Sequence, residues 1–118
     1  MFQFVGKITH DSGYATNELF TVLFPTTIRQ GNKVSVVMQW TKTPAPDEVE
    51  KENNAQIGTI TRVINRSDDS KEVEVHRGEH YYWYQLIINR NEDEMSVVMF
   101  NRGSEHCGTG SARLHFKE

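Results

Sequence analysis

The chain is poor in cysteine, in long apolar runs and in surplus positive charge, and each shortage rules something out. Its one cysteine, Cys107, has no partner in the chain for a disulfide. Small secreted domains are commonly stapled by such bridges, so the lone thiol points to a reducing, cytoplasmic setting. The amino-terminal stretch Met1-Phe2-Gln3-Phe4-Val5-Gly6-Lys7 lacks the basic start and apolar core of a secretory leader. No apolar segment approaches the roughly 20 residues of a membrane helix, and no membrane partner is expected. The 13 Lys and Arg are outnumbered by 16 Asp and Glu, leaving a formal net charge of −3. Nucleic-acid binders usually carry a basic stripe, whereas here the cations are scattered, so nucleic acid is not an expected partner either.

Helical periodicity is missing as well. The best candidate, Pro46 to Asn54, has a single apolar residue flanked by an acidic run, Asp47 to Glu52. It reads as a solvated loop near 43–54, mobile and entered through Pro44-Ala45-Pro46.

What the chain does have is alternation. Val34, Val36, Met38 and Trp40 fall on one side of a strand, with Ser35, Val37 and Gln39 on the other; Ala112, Leu114 and Phe116 alternate with Arg113, His115 and Lys117. Eight strands are predicted, over 2–8, 19–24, 33–41, 56–64, 71–76, 81–88, 95–100 and 112–116. Turn chemistry lies between them, including Ser67-Asp68-Asp69-Ser70, Asn91-Glu92-Asp93 and Gly108-Thr109-Gly110-Ser111. With 118 residues the chain fits one domain, 1–118. Short strands at near-regular spacing predict an all-β fold, a two-sheet antiparallel sandwich of jelly-roll or immunoglobulin-like type, with a closed β-barrel as the alternative. An apolar residue followed by Asn-Arg recurs at strand ends, as Ile64-Asn65-Arg66, Ile88-Asn89-Arg90 and Phe100-Asn101-Arg102. Asn tolerates left-handed backbone angles, which accounts for a strand stop.

The segment with most to say about function is the predicted hairpin Tyr81–Ile88 and Met95–Phe100. Pairing Ile88 with Met95 puts Leu86 opposite Val97 and Tyr84 opposite Met99, an apolar face aimed at the core. The other face then carries Tyr81, Trp83, Gln85, Phe100 and Arg102, with Trp83 in register with Phe100. A sugar ring stacks its C–H face on an aromatic plane while amide and charged neighbours take its hydroxyls, so these five residues form the candidate ligand-binding set. The competing structural role is burial of this face against a second sheet, which Gln85 and Arg102 oppose because unpaired buried polar groups cost about 1–3 kcal/mol each.

Other constellations carry less. His76 and His80 are four apart around Gly78, a turn rather than a helix, and zinc needs three or four ligands at fixed geometry. Cys107 has no nucleophile's surroundings, since the neighbouring His106 would point to the opposite face of a strand. Gly108 to Ser111 lacks the Lys and following helix of a phosphate loop. The acidic turns lack the spaced oxygen ligands of a calcium loop. No catalytic or metal residue and no cofactor is therefore assigned. The expected function is a non-catalytic, lectin-like module binding a glycan. The alternative is a protein-interaction or inhibitor module, or the subunit of a homodimer or larger homo-oligomer, using the same face. A small metal-dependent enzyme ranks last.

Overall fold

The computed structural model describes residues 1–11, 18–39, 56–77, 83–101 and 103–118. Its strands are β1 (Phe2–His10), β2 (Glu18–Phe24), β3 (Lys33–Gln39), β4 (Gln56–Asn65), β5 (Lys71–His76), β6 (Trp83–Ile88), β7 (Glu94–Phe100) and β8 (His106–Lys117). Each pairs antiparallel with the next in sequence, and β1 pairs with β8, closing the ladder into an eight-stranded barrel. The sandwich is thereby corrected to the barrel that was its alternative. Both folds need the same inward-outward alternation; what separates them is the order in which strands pair, here each with its sequence neighbour and the first with the last, which no periodicity encodes. The acidic loop near 43–54 lies outside the described residues.

Alternation sorts the side chains as the sequence implies. Phe4, Ile8, Phe20, Val22, Phe24, Val34, Val36, Ile60, Val73, Val75, Tyr84, Leu86, Ile88, Met95, Val97 and Met99 point inward and are at most 2% exposed. Burying a side chain of this size is worth roughly 1.5–3 kcal/mol, so this interior is the main source of stability. At one end Phe2 stacks on Phe24 at 5.1 Å, and Phe4 meets both edge-on at 6.2 Å. Near the other end Tyr84 lies 5.4 Å from Phe20 and accepts a 2.9 Å hydrogen bond from Arg77 Nη1, a guanidinium that is itself buried.

Glycine-rich 108–111 is strand rather than turn, another correction. β8 already begins at His106, and Gly110 sits opposite Ile8 where β1 and β8 press together. A Cβ at Gly110 would stand 2.0 Å from the Lys7 carbonyl oxygen, and one at Gly6 would stand 1.8 Å from that of Ser111. Glycine is what lets a barrel corner bend this tightly. Elsewhere the interior closes over glycine: a Cβ at Gly58 would lie 2.7 Å from Val75 Cγ1, and one at Gly108 would lie 3.0 Å from Met99 Cε. Interior side chains have taken up the space these residues leave, so the barrel around them is a packed core.

Two of the three Asn-Arg repeats, at Asn89 and Asn101, resolve into hairpin caps. Positive φ falls on Asp69, Glu92 and Ser104 (66°, 57° and 60°), not on the asparagines. Instead the Asn89 side-chain carbonyl accepts the N–H groups of Asp93 and Glu94, and that of Asn101 accepts those of Gly103 and Glu105. The amide thus organises the loop's donors while a later residue makes the left-handed step.

Candidate functional site

The β6–β7 hairpin pairs Trp83 with Phe100, Tyr84 with Met99, Gln85 with Val98, Leu86 with Val97, Ile87 with Ser96 and Ile88 with Met95. This is the register the alternation predicts, with Tyr84 fully buried and Trp83, Gln85 and Phe100 half-buried on the outer wall. Among the described residues the strands close into one barrel, and no second sheet covers that wall. Tyr81, Arg102 and His80 lie outside the described residues.

Two irregularities complete the outer surface. On β4 the register shifts between Ile60 and Arg62, inserting Thr61 as a bulge. Without the extra residue, Arg62 would fall on the inward parity; with it, Arg62 stands outside opposite Glu74, Val63 turns inward opposite Val73, and Ile64 faces Glu72. A second shift, between Met99 and Phe100, skips Cys107 and sets His106 beside Phe100.

The result is a row of rings across four strands. His76 of β5 stacks on Trp83 of β6 at 5.1 Å and 5°, Trp83 on Phe100 of β7 at 4.2 Å and 14°, and Phe100 meets His106 of β8 edge-on at 6.1 Å. Carboxylates flank both ends: Glu74 Oε1 is 2.7 Å from His76 Nε2, and Asp11 Oδ2 bonds His106 Nδ1. Parallel rings on adjacent strands must stand up from the wall, so the two faces of Trp83 are occupied by His76 and Phe100. The flat platform expected for a sugar is replaced by a wall of ring edges, where the electropositive rim of each ring attracts oxygen.

Beside that wall lies a groove of about 170 Å³ lined by Arg62, Ile64, Glu72, Glu74, Trp83, Gln85 and Phe100. Gln85 Nε2 donates to Glu72 Oε1, leaving the other carboxylate oxygen, the amide carbonyl, Glu74 and the Arg62 guanidinium as further polar groups along the groove. The sequence reading missed Arg62, Glu72 and Glu74. The alternation of Glu72, Glu74 and His76 with Val73 and Val75 already marks those three as outward, but the bulge that turns Arg62 toward them has no sequence signal.

Among the described residues the weaker constellations do not assemble into a site, and His80, the companion of His76, lies outside them. His76 is engaged by Glu74 and Trp83 as above. Cys107 is half-buried, its Sγ 3.4 Å from the Met99 carbonyl oxygen, and His106 is turned to Asp11. Among the described residues no cluster of His, Cys, Asp and Glu has the makings of a metal site, and no helix is long and apolar enough to cross a membrane. The barrel's polarity, apolar within and studded with Glu72, Glu74, Arg62 and Arg113 without, is the reverse of that in membrane-spanning barrels. Compared with family models, with curated proteins and with solved structures, the chain gives no match.

Proposed function

We propose that the chain is a non-catalytic, lectin-like binding module that takes a carbohydrate in the outer groove over β4 to β7. The observation that carries this reading is the convergence of Glu72, Glu74, Gln85 and Arg62 beside the standing edges of Trp83 and Phe100. Carboxylates accept from sugar hydroxyls, the guanidinium donates to them, and the amide does both. Ring edges, electropositive at their rims, meet the ring and hydroxyl oxygens of a pyranose. Recognition then works through hydroxyl coordination rather than face stacking.

The test is a glycan array at high protein concentration with a sample shown to be folded, repeated with Glu72→Ala. Binding of at least one glycan class, lost or sharply weakened in the variant, is the expected result. Silence across the array from folded protein overturns the reading. The half-exposed aromatic row also suits a protein partner or a second copy, since such residues are enriched at interfaces. A stable dimer that Trp83→Ala dissolves, with no glycan bound, would favour that second reading.

A further inference from the structure

A second groove of about 350 Å³ runs along the outside of β6 to β8, bordered by the β4–β5 hairpin. Ser96 and Ser111 face each other across β7 and β8 on its floor, both exposed. Among the described residues neither hydroxyl is spent on a hydrogen bond. Two cations, Arg66 and Arg113, and two anions, Asp68 and Glu94, join Ser70 and Asn89 in the rest of the polar lining. Their charges cancel, so nothing here selects an ion over a neutral molecule, and the groove offers donors and acceptors in mixed array. That is the chemistry that receives a hydroxyl-rich, uncharged ligand.

The two grooves are neighbours. Glu72 of the first is paired in register with Ile87 of the second, and Gln85 and Ile87 follow one another on the outer face of β6. From Trp83 to Ile87 the wall runs about 13 Å at the rise of an antiparallel strand, the length of a short oligosaccharide. Resting on the carbohydrate reading above, we infer that the ligand is a neutral oligosaccharide. Its terminal ring occupies the Trp83–Gln85 groove and its following rings lie over Ser96 and Ser111.

The experiment is titration calorimetry of the folded chain with neutral homo-oligosaccharides of glucose, mannose, galactose and N-acetylglucosamine, from one ring to six. In the series that binds, affinity rises about tenfold or more between one ring and three, the worth of one or two net hydrogen bonds. Ser96→Tyr, which fills the second groove, and Ser111→Val, which removes a hydroxyl, abolish that rise and leave monosaccharide binding in place. Both substitutions put strand-favouring residues at exposed strand positions, so the fold tolerates them. Affinity independent of length, or a rise that survives both variants, overturns the extended site and leaves the carbohydrate reading standing. No binding by any series overturns the neutral-oligosaccharide ligand, and silence on the glycan array as well overturns both.

Discussion

Replacing Gly110 by alanine tests the closure of the barrel directly. The new Cβ would lie 2.0 Å from the Lys7 carbonyl oxygen, 2.8 Å from Ile8 Cα and 2.9 Å from the Lys7 carbonyl carbon, all backbone. No rotamer change relieves such a collision; β1 must retreat from β8 by about 1.4 Å to restore ordinary contact. Overpacking of this kind costs roughly 1–3 kcal/mol, and a backbone-on-backbone clash belongs at the upper end. Against it stands a gain of about 0.4–1 kcal/mol from the stiffer unfolded chain. The net loss is about 2 kcal/mol, a large part of the roughly 5–15 kcal/mol that holds a typical domain together. At about 2.1 cal/mol/K per residue over 118 residues, that lowers the melting temperature by about 8 °C. Thermal and urea unfolding followed by circular dichroism read it out. Gly103→Ala is the control: its Cβ would meet nothing closer than 3.4 Å, so its stability stays level or rises slightly. Should Gly110→Ala melt with the parent protein, β1 and β8 do not press together as described, and the closed barrel falls with that contact.

Three further outcomes follow from particular contacts. Asn89→Ala and Asn101→Ala each strip two loop N–H groups of their acceptor, and each lowers unfolding free energy by about 1 kcal/mol in urea titrations; no change in either would show that water replaces the cap at no cost. Tyr84→Phe withdraws an acceptor from the buried Arg77 guanidinium and destabilises the barrel by about 1–3 kcal/mol, whereas a neutral result would mean the phenol contributes only its ring. The Ser70 hydroxyl and then its backbone N–H, both donated to Asp68, hold that carboxyl below its ordinary 3.8. A depressed folded-state value contributes stability above the unfolded one and loses it as pH falls through the folded one. Asp68→Asn therefore flattens part of the acid limb of a stability profile taken downward from about pH 5, and an unchanged limb would contradict the assigned bonds.

Much of the strand pattern is legible in the sequence because side-chain parity is a local property. Ile88 to Met95 and Trp83 to Phe100 pair as their alternation implies, since one hairpin fixes both registers at once. Closure is not local: nothing in Phe4 or Leu114 announces that they will be neighbours. The glycines at 108 and 110 resemble a turn for the same reason, because their purpose, letting another strand come close, depends on that strand being there. Bulges are equally silent. One extra residue at Thr61 decides whether Arg62 lies in the core or in the groove, and that shift is set by how β4 must coil around the barrel. The aromatic side of the candidate site and the outward carboxylates of Glu72 and Glu74 are legible by parity, while Arg62 joins them only in three dimensions.

The β1–β8 seam has a consequence for how this protein meets others. With each strand paired to a neighbour on both sides, no strand among the described residues presents a whole free edge, so docking by strand addition is disfavoured and partners engage side chains. The same holds for self-templated aggregation, which has to wait for the ladder to part at one of its junctions. At the β1–β8 junction, the two glycines that let the strands meet act as guardians of solubility as much as of shape.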